Sequence, residues 1–157
     1  VEEESAGTGN DFSKTVEARA AEEGAVAVVI SAKIEEELAQ LDADERTDYL
    51  EELGLAEAGL DRLIRAGYDL LHLITYFTCG PKETRAWTIT EGTLAPAAAG
   101  VIHTDFEAGF IRAETIAYDD YVSLGGETPA KDAGKMRLEG KEYLVADGDV
   151  MHFRFNN

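Results

Sequence analysis

Ser31-Ala32-Lys33 is the tripeptide of this chain best placed to meet a ligand, because it directly follows Ala25 to Ile30, a continuous apolar and largely β-branched run. Such a run is the pattern of a strand buried on both faces of a mainly parallel sheet, and α/β folds place ligands at the carboxyl ends of those strands. A serine in that position equally caps the next helix, so the tripeptide alone leaves both readings open. A second candidate group is basic: Lys131, Lys135, Arg137 and Lys141 form the one concentration of positive charge in the second half of the chain. Cations at this spacing suit phosphate, and they equally suit a solvated strand edge whose lysines block edge-to-edge pairing.

Other reactive residue types lack a productive spacing. His72, His103 and His152 are widely separated and share no short His/Cys pattern, so no metal site is expected; His103 suits a hydrogen bond within the Thr104-Asp105 turn. The lone Cys79 cannot form an internal disulfide and reads as an inert thiol. Gly-x-Ser-x-Gly is absent, which removes the hydrolase elbow. Asp147-Gly148-Asp149 reads as a hairpin turn, since the rest of a twelve-residue calcium loop is missing. A phosphate cradle needs Gly-x-x-x-x-Gly-Lys-Ser/Thr, in which curled backbone amides and the lysine hold phosphate while the hydroxyl holds magnesium. Gly134-Lys135 runs into Met136 and Gly140-Lys141 into Glu142, so neither pair can serve, and no catalytic residue is assigned.

The 157 residues are 45% apolar, enough for one domain or a small domain with an appendage. The net charge of −18 argues against plain electrostatic adhesion to nucleic acid, DNA included. Its distribution is uneven: residues 1–74 carry 19 acidic against 6 basic side chains, residues 75–157 carry 13 against 8. No stretch of eighteen apolar residues offers a membrane span, and Val-Glu-Glu-Glu-Ser is unlike a secretion signal. A reducing, cytoplasmic setting fits the single cysteine.

The elements that must position these residues follow from periodicity. After a loop over residues 1–13, a helix is expected from Ser13 to Glu23, stopped by Gly24 in the left-handed region. The strand Ala25 to Ile30 follows, then a helix over Ile34 to Leu41 and another capped by Asp42 or Asp44 and ended by Gly54. Leu60, Leu63, Ile64, Tyr68 and Leu71 make one apolar stripe of a further helix, with Arg62 and Arg65 off it. From Thr75 the pattern turns to strands: Tyr76 to Thr78 and Arg85 to Thr90 around a Gly-Pro turn, a helix over Pro96 to His103, and a strand over Phe110 to Tyr118. Short segments at Lys135 to Leu138, Tyr143 to Val145 and Val150 to Phe155 close the chain. Hairpin, helix, strand and closing strands make a β-grasp, ubiquitin-like order. The expected class is α+β.

Two long stretches carry a family resemblance. Gly100-Val-Ile-His-Thr-Asp-Phe-Glu-Ala-Gly-Phe-Ile-Arg-Ala-Glu114 resembles the signature of the TGS domain that closes the YchF/Obg-like ATPases, a branch of the translation-associated P-loop GTPases. Glu139 to Tyr143 with Asp147 to Asn156 resembles the end of the same domain. The resemblance implies a C-terminal portion of such a protein. Residues 1–74 would be the tail of a P-loop α/β nucleotide-binding domain of OBG type, one strand plus helices, and residues 75–157 the TGS domain. It further implies that Ser31, Ala32 and Lys33 form the base-contact loop, and that Val1 and Glu3 are the remaining members of an Asn-x-x-Glu base-reading motif. For the intact protein it implies binding and hydrolysis of ATP or GTP with Mg2+, ribosome or ribosomal RNA as partner, and no membrane. Lys131, Lys135, Arg137 and Lys141 would be the RNA-facing patch, and tight nucleotide binding is not expected of this portion. The other class of function is a stand-alone RNA- or protein-binding β-grasp module on a helical platform, without nucleotide chemistry.

Overall fold

The computed structural model describes residues 1–156 and divides into two compact units, Val1–Leu70 and Leu71–Asn157.

The first unit is helical. A short 3-10 turn, Glu3–Ser5, precedes α1 (Asp11–Glu23), α2 (Ala32–Leu38), α3 (Ala43–Glu52) and α4 (Gly59–Leu70). Asn10 caps α1: its side chain accepts from the Ser13 amide at 2.9 Å, and the Ser13 hydroxyl accepts from the Asn10 amide at 2.8 Å. Ser13, expected to be the cap, is instead its reciprocal partner three residues on, because Asn10 has the extended backbone that a cap requires. Asp42 caps α3 in the same manner with Glu45, and Gly24 and Gly54 adopt the positive φ expected of helix ends. A small core gathers Ala6, Ile34 and Leu38 with Leu41, Tyr49, Leu50 and Leu55.

The strand expected over Ala25 to Ile30 does not form among the described residues. The segment is irregular, Val26 is exposed, and the unit contains no sheet. A strand exists only through backbone hydrogen bonds to a neighbour, and an apolar run without one has nothing to pair with. The α4 stripe has a related fate: the helix is strongly two-faced in sequence, yet Leu60, Leu63 and Ile64 are each about half exposed.

The second unit is a mixed five-stranded sheet with helices. β1 (Leu73–Cys79) and β2 (Thr84–Thr90) form the expected hairpin; β3 (Phe110–Ala117), β4 (Arg137–Glu139) and β5 (Asp149–Phe155) complete the order β2-β1-β5-β3-β4. β5 pairs parallel with β1 and antiparallel with β3, so the last strand lies in the middle of the sheet. Tyr143 to Val145, expected to be strand, makes only a bridge between Leu144 and Leu94. α5 (Ala95–Ile102) carries Pro96 in its first turn as expected. Three short helices were not foreseen: α6 (Thr104–Ala108), α7 (Tyr118–Leu124) and α8 (Glu127–Asp132). At five to seven residues they are too short to show a helical period.

The core of this unit sits between α5 and the sheet. Ala95, Ala98 and Ala99 are fully buried, and their small side chains let the helix approach Tyr76 closely enough for its hydroxyl to donate to the Ala98 carbonyl at 2.9 Å. Tyr76 meets Phe153 edge-on at 5.8 Å, and Phe106 stacks on Phe155 at 3.9 Å. Gly109 is required by close approach, since a Cβ there would lie 2.0 Å from the Asn156 carbonyl oxygen.

Candidate functional site

The five residues expected to contact a base are brought to one place in the first unit. The irregular segment after α1 delivers Ser31 to the start of α2, where its carbonyl accepts from the Glu35 amide at 3.1 Å. Its hydroxyl makes no capping bond: it is buried and finds no hydrogen-bond partner among the described residues. Ala32 opens the helix and Lys33 extends from its first turn. The Lys33 ammonium donates to the Glu3 carboxylate at 2.7 Å and lies 3.9 Å from Glu37, while the backbone amine of Val1 donates to the Ile30 carbonyl at 2.8 Å. The hydrogen bond from Lys33 to Glu3 raises the lysine pKa, so the side chain is held as a cation. Thus a carboxylate and an ammonium thirty residues apart in sequence meet beside the start of α2.

In the same unit, the Arg62 guanidinium donates to the Val29 carbonyl at 2.9 Å, while its Nε is buried without a partner among the described residues. Arg62, which as an off-stripe helix residue reads as a solvated charge, instead clamps the irregular segment. Nothing in its spacing signals that, since the segment it holds is 33 residues away.

The basic group of the second unit is arranged differently from its sequence. Lys131 lies in the last turn of α8, Lys135 in the following turn, Arg137 on the edge strand β4 and Lys141 beyond it. Lys135 pairs with Asp120 at 3.1 Å. Arg137 is committed further: it binds Glu139 at 2.9 Å, the Tyr143 hydroxyl at 2.8 Å and Asp149 at 3.3 Å, with its guanidinium over the Tyr143 ring. Asp149 is nearly fully buried and also accepts from the Tyr143 hydroxyl at 2.7 Å and the Ala146 amide at 3.0 Å. Arg137 therefore belongs to a structural network, and Lys131 and Lys141 are the exposed members of the group without an ion pair among the described residues.

The remaining candidates have local roles. His103 caps α6, its Nδ1 accepting from the Asp105 amide at 3.2 Å, as its turn context suggests. Asp147-Gly148 is a turn into β5 and ties that turn to β1: the Asp147 carboxylate accepts from the Thr75 amide at 2.7 Å and the Gly148 amide donates to the Thr75 carbonyl at 2.8 Å. Cys79 ends β1 and is partly exposed. Among the described residues no helix is long and apolar enough to cross a membrane.

Comparison with known proteins adds a consistent set of relatives. The family model YchF-GTPase_C, described as a protein of unknown function (DUF933), matches residues 73–156. The chain is 60% identical over 147 residues to the ribosome-binding ATPase YchF of Haemophilus influenzae, covering 94% of this chain and 40% of that protein. It is 57% identical over 149 residues to its namesake from Bacillus subtilis, covering 95% and 41%. It is 49% identical over 133 residues to Obg-like ATPase 1 of Rattus norvegicus, covering 85% and 33%. The solved structure of the Schizosaccharomyces pombe YchF GTPase superposes with a TM-score of 0.81 at 37% identity, over 93% of this chain and 39% of that one. The chain thus spans about two fifths of the length of the curated bacterial relatives it matches.

Proposed function

The chain belongs to the YchF-GTPase C-terminal family, and from that premise we propose that it is the C-terminal part of a ribosome-associated, ATP- or GTP-hydrolysing protein. In this reading residues 1–74 close the P-loop domain and supply its base-contact loop. Residues 75–157 form a TGS module of β-grasp type that engages the ribosome in the cytoplasm. The observation that carries the nucleotide side is the pairing of Lys33, in the first turn of α2, with Glu3, next to the Val1 amine on the Ile30 carbonyl. A carboxylate acceptor and an ammonium donor are group types that read the polar edge of a purine. These residues fit the base end of a nucleotide and no more. The sequence contains no Gly-x-x-x-x-Gly-Lys-Ser/Thr to cradle phosphates or hold Mg2+, so no hydrolytic step is assigned to residues of this chain.

The purified chain is therefore expected to release no phosphate from ATP or GTP above an unrelated protein. Turnover that scales with protein concentration and survives repurification would overturn the assignment. Loss of phosphate and magnesium contacts also leaves any nucleotide affinity weak, which equilibrium dialysis with labelled ATP measures.

On the ribosome side, the lysines supply the contact and Arg137 does not, because its guanidinium is held by Asp149, Glu139 and Tyr143. Replacing Lys131, Lys135 and Lys141 together by Gln is expected to weaken co-sedimentation with ribosomes and leave the melting temperature unchanged. Three phosphate contacts correspond to a log–log salt slope of about −2 to −3, which the triple variant flattens. Unaltered co-sedimentation would remove this face from consideration.

A further inference from the structure

One cluster in the second unit brings together groups that no sequence spacing connects. Glu114 on β3 and His152 on β5 are direct register partners in the antiparallel pair, so their side chains leave the same face of the sheet side by side. Glu127, the first residue of α8, arrives over them from the helix layer. One ligand atom from each of the three lies within 4.8 Å of the others. No hydrogen bond or ion pair within the described residues engages the Glu127 or His152 side chain, leaving both available. The hollow they share is also lined by Cys79, Tyr121, Met136 and Val150, and narrows to a cavity of about 10 Å³, the size of a single water or ion.

We propose that Glu114, Glu127 and His152 bind one divalent first-row transition cation, with Zn2+ the best match. One imidazole nitrogen and two carboxylate oxygens, with no thiolate among the three, are a donor set that suits Zn2+, Mn2+ or Co2+. Ligands held about 2.0 to 2.2 Å from a common ion lie roughly 3.4 Å apart, so the groups must close by little more than about 1 Å. The exposed side chains of Glu127 and His152 achieve that by rotation alone. Three protein ligands leave a fourth position for water or for a group brought by a partner. Arg154 donates to one Glu114 oxygen at 2.9 Å, which fixes the carboxylate and leaves its second oxygen for the ion. That hydrogen bond also lowers the Glu114 pKa, keeping the group ionised. Arg154 and Lys131 are the cations that face Glu114, and their positive charge opposes binding of a cation there. The bound ion would pin the start of α8 to the sheet. Sequence offered no hint of this, because the ligands are 13 and 25 residues apart and meet only through strand register.

The test is calorimetric titration of the untagged full chain with Zn2+, beside thermal melting with and without the ion. The expected result is one Zn2+ per chain and a rise in melting temperature. The association constant should fall at least about tenfold and the rise in melting temperature should shrink in Glu127→Gln and in His152→Ala, and both should persist in His103→Ala. Glu127→Gln is exposed at a helix start, so its metal-free melt should match the parent and separate loss of ligation from loss of fold. Absence of saturable binding, binding unchanged in Glu127→Gln, or equal loss in His103→Ala would each overturn the site.

Discussion

Asp149→Ala is expected to lower the melting temperature of the second unit by about 10 to 30 °C. The carboxylate is almost fully buried at the start of β5 and accepts from Tyr143, Ala146 and Arg137. Removing it strands a phenol and a backbone amide in a part-buried setting and releases a guanidinium. Breaking a buried charge pair costs about 3 to 5 kcal/mol, and the partial exposure of Arg137 reduces that here to about 2 to 4. In a domain of this size each kcal/mol corresponds to about 4 to 8 °C. Asp149→Asn, which keeps one acceptor, should fall between the two.

A second readout distinguishes loss of this network from general loosening. Burial, then the hydrogen bond to Asp149, push the Tyr143 pKa up to about 12, opposed by Arg137. A folded pKa raised above the unfolded value of about 10 contributes stability that is complete below that pH and is lost as pH rises through about 12. The parent chain should therefore lose part of its stability between about pH 10 and 12, and Asp149→Ala should lose less, because its tyrosine titrates lower. An alkaline profile identical in both would show that Asp149 does not hold the phenol.

Residues 71–157 expressed alone are expected to unfold cooperatively, with dispersed amide resonances and a melting temperature within a few degrees of the parent. The unit contains its own core of Tyr76, Ile89, Phe110, Val145, Met151 and Phe153 around the three buried alanines of α5, and a chain of this length sustains one small core. Residues 1–70 alone should behave in the opposite way. Their core is Ala6, Ile34 and Leu38 with a few partly buried neighbours, and Val16, Val26, Leu60, Leu63 and Ile64 remain in contact with water. A sharp melt from residues 1–70, or a collapsed and non-cooperative spectrum from residues 71–157, would reverse the assignment of where stability resides.

The contrast between the units shows what could be read from sequence. Binary pattern, caps and turn residues located α1, α3, α4, the β1–β2 hairpin, α5, β3 and β5 to within a few residues, since each depends on local chemistry: Asp42 as a cap, Gly24 and Gly54 as stops, alternation along β3. The two long stretches at Gly100 to Glu114 and Glu139 to Asn156 were enough to indicate the family, and the assignment of Val1 and Glu3 to the base end is proposed from that resemblance alone. Pairing was beyond reach. The run Ala25 to Ile30 is strand-like in composition and is no strand in this chain, because a sheet hydrogen bond requires a partner that local sequence does not specify. Tertiary structure alone decided that Arg137 serves Asp149, that Arg62 holds Val29, that Glu3 pairs with Lys33, and that Glu114, Glu127 and His152 meet. The physical reason is common to all four. Residue type sets what a group can bond, and the distance at which a partner arrives is set by strand register and helix packing across many residues of intervening chain.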